Sequence, residues 1–201
     1  MSSKRYSDFP LFKSHLDLAH QYWEKLVLPG DIVIDATCGN GHDTLRLAQL
    51  ALKANTGQVY AYDIQSKAIE ATQEYITKHL EAQQLPLLHF EQKCHSKFSP
   101  DIQPETVRLI VYNLGYLPKG DKTLTTQTET TLQSLKEAMR LIMPGGAISI
   151  TCYPGHLEGA IEEEAILIFA ASLNVEEWSC CHHRLINRSK APSLLLIQKT
   201  N

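Results

Sequence analysis

Hydrophobic positions along the chain switch between the spacing of amphipathic helices and short apolar runs typical of buried strands. Leu16, Ala19, Trp23 and Leu26 share one face of a predicted helix at about residues 11–27. After it, strands are predicted at residues 31–35, 58–63, 87–91, 107–113, 147–153, 175–186 and 193–198, and helices at residues 42–53, 66–84, 127–143 and 158–173. This alternation predicts an α/β protein with a mostly parallel seven-stranded sheet and helices on both faces.

Local signals refine this arrangement. Ser66 is expected to cap one helix, and Thr126 with Glu129 is expected to form a capping box at the start of another. The run Pro144–Gly146 is expected to end that second helix before the next strand. Because no helix separates the last two strands, they are predicted to form an antiparallel C-terminal hairpin at one end of the sheet.

Length and composition fit one folded domain. A chain of 201 residues with 43% hydrophobic and 20% charged residues is typical of a globular protein. We expect a single domain over residues 1–201, in which residues 1–29 form a helical extension. The net charge of −3 gives no general attraction to nucleic acid, so RNA binding would need a local basic patch.

The cysteines and apolar runs indicate a reduced, cytoplasmic protein that does not cross a membrane. The five cysteines are an odd number without CxxC spacing, and the N-terminal residues lack the apolar stretch of a signal peptide. The longest apolar run, residues 165–173, is about half of a membrane span. The adjacent residues Cys180–His183 predict no metal site, because neighbouring strand residues point to opposite faces.

The turns after the first two strands indicate a nucleoside site. In parallel α/β sheets, ligands bind outside the carboxyl ends of the strands, where the strand order reverses. The first turn reads DATCGNGHDT at residues 35–44, and its two glycines, Gly39 and Gly41, would let a ligand approach the backbone. Asp63 ends the second strand, where a carboxylate can accept hydrogen bonds from ribose hydroxyls.

The charges of these turns favour S-adenosylmethionine (SAM) over a dinucleotide. A pyrophosphate-binding turn would carry a third glycine where Thr44 stands. Asp35, Asp43 and Asp63 would repel a pyrophosphate, whereas they suit the sulfonium and ammonium charges of SAM. SAM is therefore the predicted cofactor, and an NAD-dependent oxidoreductase is disfavoured.

The fourth strand ends in Asn113, Leu114, Gly115 and Tyr116, a variant of the Asn-Pro-Pro-Tyr motif of methyltransferases that act on amino nitrogens. A nitrogen nucleophile needs acceptors for its hydrogens while its lone pair points at the methyl group. The Asn113 side-chain carbonyl and the next backbone carbonyl would supply two acceptors, and the Tyr116 ring would stack on a base. The structural alternative is that Asn113 only ends a strand and Tyr116 packs in a loop.

These segments together resemble one protein family. The resemblance extends to YAYDIQ at residues 60–65, KCHS at 93–96, NLGYLPKGDK at 113–122 and YPGHLEG at 153–159. From about Gly30 onward the chain is similar to the bacterial tRNA 5-aminomethyl-2-thiouridine methyltransferases, also described as "putative rRNA methylases". It departs from them at Lys119, where we expect glycine, and in the length of the segment before Gly30.

The resemblance implies a Rossmann-like class I methyltransferase fold and SAM as cofactor. It also implies methyl transfer to the 5-aminomethyl group of the wobble uridine in the tRNA anticodon stem-loop, giving 5-methylaminomethyl, and it makes a homodimer plausible. The strand ends and the resemblance together assign cofactor binding to Asp35, Thr37, Gly39, Asn40, Gly41, Asp43, Thr44, Asp63, Ile64, Gln65, His95, Asn113 and Leu114.

Catalysis is assigned to residues beyond the fourth and fifth strands. Asn113 and Tyr116 would position the amine, and Asp121, His156 and, less strongly, His95 are alternative general bases. The basic patch predicted to bind tRNA phosphates comprises Lys119, Lys122, Arg184, Arg188 and Lys190. Two other functions stay open: a SAM-dependent methyltransferase acting on rRNA, a small molecule or a protein, and a non-enzymatic nucleoside- or RNA-binding module.

Overall fold

A computed structural model describes residues 14–115 and 126–201, which contain one seven-stranded sheet and five α-helices. The strands are β1 (Ile32–Asp35), β2 (Gln58–Asp63), β3 (Leu88–Gln92), β4 (Val107–Asn113), β5 (Ile142–Cys152), β6 (Trp178–His183) and β7 (Ser193–Lys199). The helices are α1 (His15–Leu26), α2 (His42–Ala51), α3 (Ser66–Thr77), α4 (Thr128–Leu141) and α5 (Leu157–Ala171). None of the helices among these residues is long and apolar enough to cross a membrane.

The strand pairing confirms the predicted α/β fold class. The strand order is β3-β2-β1-β4-β5-β7-β6, in which β1 to β5 pair in parallel and β7 pairs antiparallel with both β5 and β6. The order reverses between β1 and β4, which is where such sheets bind ligands. Because Cys152 at the end of β5 pairs with Ser193 at the start of β7, the β6–β7 connection lies at this same edge.

Helices cover both faces of the sheet. Neighbouring strand residues point to opposite faces, and both faces carry apolar side chains that the helices bury. Val33 on β1 packs with α1, α2 and α3, whereas Ile34 packs with α4 and α5. Trp23 fixes α1 in place: its ring is buried, and its indole nitrogen donates to Ser149 Oγ on β5 at 3.0 Å. Burial of a side chain of this size contributes about 3 kcal/mol to folding.

The sixth strand, Trp178–His183, is shorter than the predicted residues 175–186. Two further predicted boundaries are wrong for reasons of tertiary contact. The third helix ends at Thr77 rather than at residue 84, and the following turn brings Gln84 Nε2 within 2.9 Å of the Leu52 carbonyl oxygen. The fourth helix ends at Leu141, and β5 begins at Ile142, so Pro144–Gly146 lies inside the strand. Those residues form a bulge, because the pairing with β4 slips there.

The expected helix caps also differ. Ser66 is the first helical residue of α3, and the residue at the cap position, Gln65, makes no capping bond with its side chain. Thr126 lies outside α4, and its hydroxyl donates to Glu162. A capping box occurs instead at α1, where Ser14 Oγ accepts from the Asp17 amide and the Asp17 carboxylate accepts from the Ser14 amide. This box accounts for where α1 begins.

Candidate active site

A cleft of about 730 Å³ opens at the carboxyl ends of β1, β2 and β4, where the strand order reverses. This volume lies within the range of about 300–1,000 Å³ that small-molecule sites occupy. Its walls come from the turn after β1, the segments after β2, β3 and β5, and the start of α4, and Leu16 on α1 lines one side. The cleft lies where the strand ends predict a ligand.

Two glycines give the turn after β1 its shape. Gly39 and Gly41 both adopt positive φ, at 51° and 81°, a conformation that other residues rarely take. A Cβ on Gly41 would also lie 3.0 Å from Thr72 Cα, so α3 packs directly on this backbone. The turn is therefore held close to α3 while Gly39 itself lines the cleft.

Asp35 lies beneath this turn and does not line the cleft. Its carboxyl group accepts a hydrogen bond from Thr44 Oγ1 at 2.6 Å and another from the Thr37 amide at 3.1 Å. Burial, and after it the nearby charge of Asp43, raises the pKa of Asp35 to about 7. Asp35 thus ties the end of β1 to the start of α2.

Asp63 presents a fixed carboxylate at the end of β2. Its Oδ2 accepts from the Gly39 amide at 3.1 Å, and its Oδ1 accepts from the Gln65 amide at 2.9 Å. Burial raises the pKa of this carboxyl group above its ordinary value. Ile64 beside it is 48% exposed and lines the cleft, so an apolar surface adjoins the carboxylate.

The side-chain amide of Asn113, at the end of β4, lies in the cleft wall and is held by Asp43. Its side-chain Nδ2 donates to Asp43 Oδ2, and Asp43 Oδ1 accepts from His20 Nε2 at 2.7 Å. The backbone N–H of Asn113 donates to Thr37 Oγ1 at 2.7 Å, and this bond fixes the end of β4 against the turn after β1. Asn113 Oδ1 is buried and has no hydrogen-bond partner among residues 14–115 and 126–201. Such an atom is costly to bury unless a ligand completes its hydrogen bond.

Helix α1 forms one side of the cleft through Leu16, so the described part of the segment before Gly30 contributes to the site. His15 Nε2 lies 3.2 Å from the Tyr153 hydroxyl, and the two rings meet edge to face. Burial lowers the pKa of His15, so its ring is neutral near pH 7. Leu16 and Tyr153 both line the cleft.

His95 lines the opposite side as a neutral ring. It is nearly buried, and burial lowers its pKa to about 4. Ser134 Oγ donates to its backbone carbonyl at 2.7 Å, and the Tyr112 ring meets it edge to face. A histidine in this state accepts or donates a hydrogen bond but is a weak base.

A buried carboxyl group on α5 organises the far end of the cleft. Glu162 accepts from Thr126 Oγ1 and from Thr131 Oγ1, each at 2.7 Å, and burial raises its pKa. Thr126 Oγ1 in turn accepts from the Gly115 amide at 2.9 Å, and the Thr126 amide donates to the Gly115 carbonyl at 3.1 Å. The Thr126 hydroxyl therefore joins the end of β4 to α5 instead of capping α4.

His156 lines the cleft and caps α5. Its Nδ1 accepts from the Gly159 amide at 3.1 Å, so the hydrogen of the neutral ring is on Nε2. In this tautomer Nδ1 is engaged as an acceptor and Nε2 carries the hydrogen, and this arrangement does not favour general-base catalysis by His156.

The basic residues of the β6–β7 connection lie at the cleft edge. Lys190 lines the cleft, and Arg184 and Arg188 belong to the same connection. Lys93 also lines the cleft, but it pairs with Glu91 at 2.5 Å. The remaining predicted site residues lie outside the described residues: Tyr116, Lys119, Asp121 and Lys122.

Most of the predicted cofactor residues meet at this cleft. Those that line it are Thr37, Gly39, Asn40, Asp43, Asp63, Ile64, Gln65, His95, Asn113 and Leu114. Asp35, Gly41 and Thr44 lie in or beneath the turn without lining the cleft. The sequence did not predict four residues of the site, which reach it through long-range packing: Leu16, His20, Tyr153 and Glu162. Of these, only Tyr153 belongs to a motif of the family resemblance, YPGHLEG at residues 153–159.

The cleft residues fit SAM. Asp43 and Asp63 offer carboxylates to cationic groups and ribose hydroxyls. Lys93, a cation in the cleft wall, forms an ion pair with Glu91. The exposed apolar side chain of Ile64 and the neutral His95 ring suit a flat adenine. No group of three or more His, Cys, Asp or Glu residues that could hold a metal ion occurs in residues 14–115 and 126–201.

Comparisons with known proteins show which family the chain belongs to. The family model described as "Putative rRNA methylase" matches residues 59–199. The tRNA (mnm(5)s(2)U34)-methyltransferase, chloroplastic, of Arabidopsis thaliana is 41% identical over 192 residues, which cover 93% of this chain and 70% of that protein.

Two solved structures share the whole fold. The "putative rRNA-methylase" of Clostridium thermocellum is 35% identical, with a TM-score of 0.86, and the match covers 94% of this chain and 98% of that one. A "putative methyltransferase" of Streptococcus mutans in complex with SAH is 28% identical, with a TM-score of 0.78 and coverage of 94% and 99%. SAH is what SAM becomes once its methyl group is transferred. These matches confirm the predicted family resemblance, and the chain belongs to the "Putative rRNA methylase" family of class I methyltransferases that use SAM.

Proposed function

We propose that this methyltransferase converts the 5-aminomethyl group of the wobble (2-thio)uridine in tRNA into 5-methylaminomethyl. The name of the Arabidopsis relative supports tRNA as the substrate. The observation that carries the proposal is the buried Asn113 Oδ1, which lacks a partner within the part of the chain that the structure describes; Asn113 lines a cleft that suits SAM. A free carbonyl oxygen at this place matches a substrate that brings an N–H donor.

Asn113 orients the amine in this proposal. Its Oδ1 accepts one N–H hydrogen, the backbone carbonyl of Leu114 accepts the other, and the nitrogen lone pair is left to face the methyl group. When bound, SAM supplies a methyl group whose carbon–sulfur bond breaks as the nitrogen–carbon bond forms, with the electron pair going to sulfur. The methylated nitrogen then releases one proton to solvent. Alignment of this kind can supply much of the rate acceleration.

The amine must lose its own proton before the reaction. A primary alkylamine has a pKa near that of lysine, about 10.4, so deprotonation at pH 7 costs up to about 5 kcal/mol. His95, with its pKa lowered to about 4, is too weak a base for this step, and the Nδ1 of His156 is engaged with Gly159. The described residues therefore supply acceptors, and the rate should rise with pH above neutrality as more of the amine becomes neutral.

The cofactor and RNA contacts complete the proposal. Asp63 would bind the ribose hydroxyls, the Gly39–Asn40 turn would bind the amino-acid part, and His95 would contact the adenine. The tRNA phosphates would contact Arg184, Arg188 and Lys190, together with Lys119 and Lys122 of the predicted basic patch. We also propose that residues 1–201 act as one domain, that the enzyme works in the cytoplasm, and that it forms a homodimer.

Mass analysis of tRNA nucleosides tests this function. In a strain that lacks the gene, 5-aminomethyl-2-thiouridine should accumulate and its methylated form should disappear. The wild-type gene should restore the methylated nucleoside, and the Asn113→Ala variant should not. Unchanged tRNA nucleosides, or a methyl group missing instead from rRNA, a protein or a small molecule, would remove the proposed substrate.

A further inference from the structure

A chain of hydrogen bonds runs from the surface of α1 to the acceptor atom in the cleft. His20 on α1 donates from Nε2 to Asp43 Oδ1 at 2.7 Å, and Asp43 Oδ2 accepts from Asn113 Nδ2. The Asp43 side chain is 12% exposed and that of His20 is 30% exposed, so water has limited access to the middle of the chain. Because a carboxylate only accepts, the directions of both hydrogen bonds are fixed.

The polarity of the Asn113 amide depends on this chain. If the amide turned by half a revolution, its NH₂ group would take the place of Oδ1 in the cleft and would face the N–H groups of an amine. Two donors repel one another, so such a flip would remove the acceptor that orients the nucleophile. Asp43 prevents the flip only while its Oδ2 stays directed at Asn113 Nδ2.

His20 holds Asp43 in that direction. With one oxygen bonded to His20, the carboxylate cannot rotate without breaking a charge-assisted hydrogen bond. The His20 ring is itself held: it packs on the Trp23 ring with centroids 4.7 Å apart, and Trp23 is anchored on Ser149. Both the protonated ring and the neutral ring with its hydrogen on Nε2 can donate to Asp43.

We propose that His20 is a positioning residue for methyl transfer, which sets the orientation of the Asn113 amide through Asp43. This inference rests on the proposed function, because it assumes that the nucleophile is an amine. Residues that orient a reacting group through an intermediate typically change activity by about 10- to 100-fold when they are replaced.

Three variants distinguish a role of His20 in positioning Asp43 from a role in only holding α1 against α2. His20→Ala removes the donor, and His20→Gln restores an N–H at a similar place. Glu24→Ala is the matched control, because Glu24 pairs with Arg46 and so joins the same two helices, α1 and α2, without contact to Asp43. For each variant, kcat and KM for tRNA, the dissociation constant of SAM and the melting temperature are measured.

At saturating SAM, His20→Ala should lower kcat by about 10- to 100-fold while KM for tRNA changes by less than about threefold. His20→Gln should recover most of the rate, and Glu24→Ala should resemble wild type. An equal loss of kcat in His20→Ala and Glu24→Ala, or no recovery in His20→Gln, would overturn the proposal. Wild-type protein that fails to methylate the tRNA amine refutes the proposed function instead.

A second readout needs neither cofactor nor substrate. The side-chain NH₂ signals of Asn113 in ¹⁵N-labelled protein should exchange slowly with water in wild type and Glu24→Ala. They should exchange at least about tenfold faster in His20→Ala and recover in His20→Gln. Equal exchange in wild type and His20→Ala would show that His20 does not hold the amide, whatever the activity is.

Discussion

Asn113 donates its side-chain N–H to Asp43 Oδ2, and this contact leaves Asn113 Oδ1 as a buried acceptor with no partner among the described residues. The two residues are 70 positions apart in the sequence and meet because β1 and β4 are neighbours in the sheet. A carboxylate cannot donate, so the contact decides which end of the amide faces the cleft.

Replacing Asn113 with alanine should abolish most of the activity but leave the cofactor site intact. We expect kcat for methyl transfer to fall by about 100-fold, because the amine loses an orienting acceptor. The dissociation constant of SAM, measured by calorimetry, should change by less than about threefold. Asn174→Ala is the control, since Asn174 lies after the carboxyl end of α5 and its side chain bonds to Glu176 and Glu177 in its own turn. A wild-type kcat in Asn113→Ala would contradict the assigned role.

Replacing Gly41 with alanine should destabilise the protein and weaken SAM binding. The positive φ of 81° costs a residue with a side chain about 1 kcal/mol, and the new Cβ would lie 3.0 Å from Thr72 Cα. Gly155→Ala is the matched control, because Gly155 has no positive φ and a Cβ added there would lie 3.9 Å from the Lys190 carbonyl oxygen. We expect a loss of about 1–3 kcal/mol in unfolding free energy for Gly41→Ala only. Equal unfolding curves for the two variants would refute this packing argument.

The buried carboxyl of Asp35 should make stability fall as the pH rises. Its pKa is about 7 in the folded protein and 3.8 ordinarily, so between these values the folded chain keeps a proton that the unfolded chain has lost. The resulting stabilisation is fully present below pH 3.8 and is lost as the pH rises through about 7, a change of about 4 kcal/mol.

The Asp35→Asn variant lacks this titration. Its unfolding free energy in urea, relative to wild type, should therefore increase steadily from pH 4 to pH 8. Asp101→Asn, at an exposed carboxyl, controls for the general effect of removing a negative charge. A difference between Asp35→Asn and wild type that stays constant with pH would show that Asp35 titrates at its ordinary pKa.

The sequence predicts a ligand site at the carboxyl ends of the strands, with the glycine turn and Asn113 in it, because these signals are local. Alternating strands and helices specify a parallel sheet, and the carboxyl end of each strand is then a candidate for the site. Gly39 and Asn113 each follow directly from such a position. The bulge at Pro144–Gly146 was not predictable in this way, because proline and glycine usually end a strand rather than lie within one.

The residues that support the site could not be predicted, because their role depends on contacts across the fold. In the sequence, His20 is a polar position on an amphipathic helix, and no nearby residue predicts its hydrogen bond to Asp43. Glu162 lies in a run of glutamates on α5, and only the structure distinguishes it as the buried one. Thr126 matches a capping box in sequence, yet Glu162 and Gly115 engage its hydroxyl instead.

Reversing the charge of Arg184 and Arg188 should weaken tRNA binding without affecting SAM. Both residues belong to the β6–β7 connection, which the pairing of Cys152 with Ser193 places at the cleft edge. Each phosphate contact releases condensed counterions, so losing two contacts should reduce the slope of log K against log salt by nearly 2. We therefore expect at least about a tenfold loss of tRNA affinity at low salt for Arg184→Glu with Arg188→Glu. Arg140→Glu is the control, since Arg140 ends α4 at the opposite edge of the sheet, and an unchanged affinity and salt slope in the double variant would exclude this connection from the RNA contact.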